Sequence, residues 1–230
     1  EKLGNGVVRI EIGNESTEVT EFSEQQITNA LVKLTRTGEK KVYFLQGHGE
    51  RSVEGEGAAE PEGMKQALAA LGNENYQTAP LLLATQNGVP ADADVLVIAG
   101  PTRPLLPGEG EQLQSWLAGG GALLVMLDPN TRSAFEPQLA AWGVDVGADV
   151  IVDRVLAMFG RATTPFSETY GAHPITQDLR ERTLFHVARS VLPNDAGKGR
   201  LTEIVKTGAE SWAERDLARF FEKSEAELDE

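Results

Sequence analysis

The chain has 230 residues, of which 40% are hydrophobic, and its formal net charge is -14. This length suits one α/β domain with additions or two small domains, and the negative charge argues against direct binding to nucleic acid or to anionic lipid surfaces. The sequence contains no cysteine, which excludes disulfides, thiolate metal sites and any mechanism with a cysteine nucleophile. No apolar run approaches the roughly 20 residues that a membrane helix needs. Because the chain starts at Glu1 without methionine or a signal-like segment, we expect it to be part of a longer protein.

The first part of the chain predicts a β-hairpin and one helix. Val7–Ile12 and Thr17–Thr20 alternate apolar and polar residues around a turn-forming segment, which is typical of a hairpin. The helix that follows begins with the spacing of a capping box, at Ser23 and Gln26. Its apolar face consists of Ile27, Ala30, Leu31 and Leu34. So short a segment buries too little surface to fold alone. We therefore interpret residues 1–38 as an addition to an α/β domain that spans residues 39–230.

Three apolar segments predict neighbouring parallel strands of one sheet. Val42–Leu45, Val95–Ala99 and Leu123–Leu127 have no polar break, which is typical of strands buried on both faces. Amphipathic patterns at Met64–Leu71 and Glu109–Ala118 predict helices that connect them, so the crossovers are right-handed.

The remaining segments are predicted with less regular structure. We expect a mobile loop at Ser52–Glu62, a short strand at Leu81–Leu83 and a helix at Ala134–Trp142. We expect a strand or a pair of strands within Val144–Asp153. Two late strands, at Leu184–Ala188 and Leu201–Val205, are expected in an irregular C-terminal extension.

Polar or turn-forming residues follow each of the three buried strands directly. The carboxyl ends of parallel strands lie at one edge of the sheet, which is where ligands bind in open α/β folds. We therefore predict a ligand- or partner-binding site there. Its residues are Gly47, His48, Gly49 and Glu50 after the first strand, Pro101 and Arg103 after the second, and Asp128 and Asn130 after the third.

Two interpretations of His48 and Glu50 stay open at this point. In the functional interpretation they contact a ligand, or act as a general acid and base, at the edge of the sheet. In the structural interpretation His48 hydrogen-bonds to nearby backbone and Glu50 caps the following loop. Arg103 is open in the same way, because it either clamps a carboxylate or phosphate or pairs with Asp128.

The sequence predicts no metal and no cofactor. His48 and the glutamates near it lack the strict spacing of cation-binding loops. A nucleophile elbow of the Gly-x-Ser-x-Gly type, a phosphate-binding loop with Lys-Ser/Thr and a dinucleotide-binding fingerprint are all absent from the sequence.

Several segments, taken together and in order, resemble the gliding-motility-type auxiliary proteins of ABC transporters. The most specific of them contains the Gly-His-Gly-Glu turn at residues 47–50. The segments are Leu31–Arg36, Lys41–Glu50, Ala93–Pro101, Leu124–Pro129, His173–Thr176 and Ser211–Glu214.

This resemblance implies a fold, a location and partners. The implied fold is α/β and flavodoxin-like, similar to class I glutamine amidotransferase-like domains and to a domain of an intraflagellar transport subunit, with a mostly parallel sheet and helices on both faces. The implied location is the extracytoplasmic (periplasmic) face of the bacterial inner membrane, as the soluble part of a membrane-anchored protein. The implied partners are the permease and ATPase subunits of an ABC transport system, with a small-molecule or peptide ligand left open. Membrane contact is expected only through regions outside this chain.

Two classes of function are compatible with these observations. Amidotransferases of the similar fold need a cysteine after a central strand, where this chain has Asp128, so thiol chemistry is excluded. We predict a non-catalytic binding or assembly module; the alternative is a hydrolase-like enzyme that uses His48, Glu50 and Asp128.

Overall fold

The computed structural model describes residues 6–20, 23–35, 40–55, 63–129 and 135–217. By contacts, the chain forms two compact units. The first unit comprises Glu1–Ala99 and Leu106–Val125, and the second comprises Gly100–Leu105 and Met126–Glu230. The predicted boundary between residues 38 and 39 stays a prediction.

A four-stranded parallel sheet forms the centre of the first unit. Its elements, in chain order, are β1 (Val8–Ile12), β2 (Glu15–Val19), α1 (Glu24–Thr35), β3 (Lys40–Leu45), α2 (Lys65–Asn73), β4 (Tyr76–Leu81), a 3-10 helix (Leu83–Thr85), β5 (Val95–Ala99), α3 (Glu109–Ala118) and β6 (Ala122–Met126). The strand order is β4-β3-β5-β6, and β3 is parallel to both β4 and β5. The α/β class and the adjacency of the three predicted strands are therefore confirmed.

The apolar residues of β3 and β5 form the core of this unit. Val42–Leu45 and Leu96–Ala99 are buried, as their unbroken apolar sequence predicts. Val42, Phe44 and Val97 form one cluster, against which Leu68 and Leu71 of α2 pack. Fully burying one such side chain contributes about 1.5–3 kcal/mol, so this cluster is a main source of the unit's stability.

Strand β6 differs from the prediction of burial on both faces. Its residues alternate between half-buried and exposed, and Leu124 is 50% exposed. β6 lies at the edge of the sheet. The alternation is that of a strand covered on one face only.

The hairpin and the capped helix start are confirmed. β1 and β2 are antiparallel, and the N–H of Gln26 donates to Oγ of Ser23 at 3.2 Å. The predicted apolar face of α1 is partly wrong, because Ile27 and Leu31 are exposed. The helix instead makes polar contacts, among them a hydrogen bond from Nδ2 of Asn29 to the carbonyl of Asn73 at 2.7 Å.

The strand predicted at Leu81–Leu83 is wrong in its extent. The observed strand β4 ends at Leu81, where its register with β3 also ends. Thr85 then donates its N–H to the carbonyl of Leu82, which closes a 3-10 turn. The prediction followed the three leucines, whereas pairing with β3 selects Tyr76–Leu81, which contains only the first of them.

In the second unit, the residues that the structure describes form two short helices and small antiparallel strand pairs. Its elements are α4 (Glu136–Ala141), β7 (Val144–Val146), β8 (Val150–Asp153), α5 (Arg154–Ala157), β9 (Phe166–Ser167), β10 (Thr169–Tyr170), β11 (Thr183–Leu184), β12 (Val191–Pro193), β13 (Val205–Lys206) and β14 (Ser211–Glu214). The pairs are β7-β12, β8-β14, β9-β11 and β10-β13. The pair of strands predicted within Val144–Asp153 is confirmed. The strands predicted at Leu184–Ala188 and Leu201–Val205 are not, because only one terminal residue of each lies in a strand. Within the described ranges, no helix is both long and apolar enough to cross a membrane.

Two aspartates fasten the start of β3 to the segment before β5. The N–H of Lys41 donates to Asp94 Oδ2 at 2.8 Å, and the N–H of Asp94 donates to the carbonyl of Lys41 at 3.0 Å. Asp92 accepts from Nζ of Lys41 at 2.8 Å and from the hydroxyl of Tyr43 at 3.0 Å. The hydrogen bond from Lys41 and then that from Tyr43 lower the pKa of Asp92. The side chain of Lys40 and then the N–H of Lys41 lower the pKa of Asp94.

Neutralising this pair of aspartates is expected to weaken the acid dependence of stability. A carboxyl group with a lowered pKa in the folded state stabilises the fold above its ordinary value of 3.8, and this contribution is lost as the pH falls through the lowered pKa. The variant Asp92→Asn/Asp94→Asn should therefore be less stable than the wild type at neutral pH. Between about pH 5 and pH 2 it should lose less stability than the wild type does. Urea unfolding at several pH values measures this, and parallel pH curves for the two proteins would contradict the assignment.

Candidate functional site

The turn after β3 has an exposed backbone that is held at both ends. Gly47 and Gly49 are exposed and have φ values of 117° and 78°, which residues with a Cβ rarely adopt. Before the turn, the N–H of Gln46 donates to the carbonyl of Leu81 at 2.9 Å. After the turn, the N–H of Arg51 donates to the carbonyl of Ala99 at 2.9 Å. The turn is thus fixed to both neighbours of β3, namely β4 and β5.

The side chain of His48 lies beneath this turn between two carboxylates. Its Nδ1 is 3.0 Å from Oε1 of Glu50, and its Nε2 is 2.7 Å from Oε2 of Glu109. The side chains of His48, Glu50 and Glu109 are only 3%, 1% and 4% exposed. The N–H of His48 also donates to Oε2 of Glu50 at 2.7 Å. We call these three side chains the buried triad.

Glu109 completes the buried triad, a role that the sequence analysis missed. It is the first residue of α3, and a negative charge at this position stabilises a helix through its favourable interaction with the helix dipole. In the structure its Oε2 also accepts the N–H of Leu106 at 2.7 Å. Its Oε1 is buried and has no hydrogen-bond partner among the described residues.

The arrangement of the buried triad restricts its chemistry. A carboxylate oxygen only accepts hydrogen bonds, so both contacts to the His48 ring are hydrogen bonds when the ring carries two protons or when one carboxyl group is protonated. In either case both ring nitrogens face carboxylates, and neither is directed at an exposed surface. The geometry is that of a support for the turn, and it favours the structural interpretation of His48 and Glu50.

The other predicted site residues belong to the second unit. Pro101 is buried, Arg103 is exposed and Asp128 is half-buried, while Asn130 lies outside the described residues. Each described one follows its strand as expected. That their side chains meet those of the Gly-His-Gly-Glu turn stays a prediction, as do both interpretations of Arg103.

A buried arginine that the sequence analysis missed holds the segment after β6. The Nε of Arg189 donates to the carbonyl of Gly147 at 2.7 Å, and its Nη1 donates to the carbonyl of Asp128 at 3.3 Å. The same Nη1 lies 3.3 Å from Oε1 of Glu136. Arg189 therefore fixes the backbone of one predicted site residue from within the second unit.

Two further features bear on ligands. An open groove of about 550 Å³ in the first unit is lined by residues that include Asn87, Gly88, Gln112 and Trp116. It contains none of the predicted site residues. In the described part of the chain, no group of three or more metal-binding side chains is brought together. The expectation that the chain binds no metal stays a prediction.

The fold and the site are thus those of an α/β protein with a parallel sheet. A glycine turn follows a central strand at its carboxyl end, and the buried triad holds this turn in place. Its family follows from a direct comparison: the family model described as an ABC-type uncharacterized transport system, of the auxiliary kind, matches residues 39–229. The chain belongs to this family, which confirms the resemblance to auxiliary proteins of ABC transporters. No curated protein matches.

A solved structure shares the fold. The chain is similar to a structure entitled mmIFT52 N-terminal domain, with a TM-score of 0.57 and 16% sequence identity over 75% of each chain. At this identity the similarity concerns the fold alone.

Proposed function

We propose that this chain is a non-catalytic binding or assembly domain of an auxiliary component of an ABC transport system. In this proposal it is the soluble part of a membrane-anchored protein of the gliding-motility type and lies at the extracytoplasmic face of the bacterial inner membrane. It contacts the permease of the system, and its flavodoxin-like, amidotransferase-like fold has been kept for binding. Family membership supports the role in transport.

One observation carries the non-catalytic part of the proposal. Both nitrogens of the His48 ring face buried carboxylates, while the backbone at Gly47 and Gly49 is exposed. A hydrolase-like enzyme that used His48 as its acid or base would need a nitrogen of that ring directed at the substrate. A fixed, exposed backbone turn instead suits recognition, because glycine lets a partner approach the main chain closely.

The buried triad has a definite task in this function. Its hydrogen bonds hold the turn in the conformation that a partner meets, so little conformational entropy is lost on binding. His48 and Glu50 then act as positioning residues, and the predicted contacts to the partner come from Gly47 and Gly49.

A side chain added at Gly49 is expected to weaken partner binding without unfolding the protein. Asparagine tolerates a left-handed backbone better than most residues, so Gly49→Asn should fold while its side chain covers the turn. We expect at least a roughly tenfold loss of affinity for the detergent-solubilised cognate transport system, about what one poorly fitting contact at an interface costs. Surface-immobilised chain and quantitative binding curves measure this.

Gly13 provides the matched control. It also has a positive φ, of 62°, and a Cβ built there meets nothing within 4 Å. Gly13→Asn should bind as the wild type does. Equal affinity of the Gly49→Asn variant and the wild type, with both folded, would contradict the proposal that this turn contacts the partner.

A further inference from the structure

The second unit contains an exposed apolar loop that includes none of the predicted site residues. It comprises residues 154–161, contains α5, and is called the apolar tip here. Met158 is 82% exposed and Phe159 is 72% exposed, and Val155 beside them is also exposed. Large exposed apolar side chains that are contiguous are typical of an interaction surface, whereas single ones need no explanation.

The apolar tip is a built structure. Its base is closed by a hydrogen bond from the N–H of Asp153 to the carbonyl of Ala162 at 2.8 Å. Asp153 is buried, and its Oδ1 caps α5 by accepting the N–H of Leu156 at 2.9 Å. Its Oδ2 accepts from the hydroxyl of Ser211 in β14 at 2.9 Å. The N–H of Phe159 donates to the carbonyl of Leu156 at 3.0 Å, so the backbone of the tip is held in a turn on which this side chain is exposed.

The charges of the apolar tip oppose those of the rest of the chain. Arg154 and Arg161 are its two ends, both are exposed, and neither has an ion-pair partner among the described residues. The tip itself contains no acidic residue, although the chain as a whole carries -14. Two acidic residues adjoin its base: Asp153, whose side chain is buried, and Glu210, whose carbonyl accepts the N–H of Arg154 at 3.2 Å. The tip is thus a local cationic and apolar surface on an acidic protein.

We propose that the apolar tip docks on the surface of an anionic lipid bilayer. Phe159 and Met158 enter the boundary between headgroups and acyl chains, and Arg154 and Arg161 contact lipid phosphates. Apolar side chains beside arginines are the combination that binds such interfaces, and each cationic residue near an anionic surface adds to the attraction. The net charge of the chain argues against membrane contact, but charges beyond a Debye length of about 8 Å are largely screened at physiological salt.

This inference goes beyond the proposed function, because binding to lipid needs no transporter. It adds a direct membrane contact by this chain to the contact with a permease, and so replaces the expectation that only regions outside this chain contact the membrane. The two can fail independently, since one depends on the apolar tip and the other on the turn at Gly49.

The absence of cysteine allows a direct test with one fluorescent label. Phe159→Cys, labelled with an environment-sensitive dye, is mixed with phosphatidylcholine vesicles that contain or lack phosphatidylglycerol. We expect a blue shift and an increase in emission with the anionic vesicles and little change with the neutral ones. The matched control is Ile175→Cys, which is 71% exposed in the same unit and lies outside the tip; its label should not respond.

Unlabelled variants test the chemistry of docking by vesicle flotation. Met158→Ser/Phe159→Ser and Arg154→Gln/Arg161→Gln should each reduce binding to anionic vesicles by roughly tenfold or more. Ile175→Ser should not, and Glu210→Gln should strengthen binding.

Three results would overturn the proposal. The first is equal flotation of the wild type and both tip variants. The second is equal binding of the wild type to neutral and anionic vesicles. The third is a dye response that follows protein concentration without lipid, which would show that a second copy of the chain covers the tip. Because the replaced side chains are exposed, circular dichroism should show unchanged folding in every variant.

Discussion

His48→Ala is expected to lower the free energy of unfolding of the chain by about 3–5 kcal/mol, the usual cost of removing one member of a buried charged pair. The His48 ring bridges the buried carboxylates of Glu50 and Glu109. Without the ring these two carboxylates lose a shared hydrogen-bond partner in a site that water reaches poorly. Their desolvation is then uncompensated.

Urea unfolding at neutral pH, followed by circular dichroism, measures this loss. The matched control is His186→Ala. His186 is exposed and its ring contacts the hydroxyl of Thr164, so its loss should stay within about 0.5 kcal/mol. A double-mutant cycle sharpens the test: His48→Ala with Glu109→Ala should cost less than the sum of the single changes. A loss below about 1 kcal/mol for His48→Ala would contradict the structural role given to the buried triad.

Arg189→Ala is the second substitution with a large expected effect. It removes a buried guanidinium that donates hydrogen bonds to the carbonyls of Gly147 and Asp128 and forms an ion pair with the carboxylate of Glu136. Hydrogen bonds that involve a charged group are worth about 1.5–3 kcal/mol each, and partial exposure of Glu136 reduces the total. We expect a loss of about 2–4 kcal/mol in the stability of the second unit.

An exposed ion pair in the same unit is the control for this substitution. Arg182 lies 2.8 Å from Glu168, and both side chains are exposed. Exposed pairs of this kind contribute at most about 1 kcal/mol, so Arg182→Ala should hardly change the unfolding midpoint. Similar losses for Arg182→Ala and Arg189→Ala would mean that the burial of Arg189 does not matter.

The central strands could be predicted because their signal is local. Val42–Leu45 and Val95–Ala99 are unbroken apolar runs, and the runs were long enough to fix their position and their burial. The alternating exposure of β6 could not be predicted, since its apolar run is equally unbroken. What differs is its place at the edge of the sheet, which depends on residues far away in sequence.

The position of the turn after β3 could be predicted, but the contacts of its side chains could not. The Gly-His-Gly-Glu sequence marked the turn, whereas Glu109 is 61 residues from His48 and had an ordinary explanation as the first residue of a helix. Arg189 was missed for the same reason, because its acceptors lie 42 and 61 residues before it. The short strand pairs of the second unit also escaped prediction, since pairs of two residues, such as Thr169–Tyr170, are too short to show a period.

Site-specific crosslinking tests most directly whether the turn after β3 contacts the transport system. Because the chain has no cysteine, Gly49→Cys and Gly13→Cys each provide a single attachment point, and both positions have a left-handed backbone, so the strain is matched. With a short thiol-reactive crosslinker in membranes that contain the cognate system, position 49 should crosslink to the permease and position 13 should not. Crosslinks from position 13 alone, or equal yields from both positions, would contradict the proposed recognition by the turn.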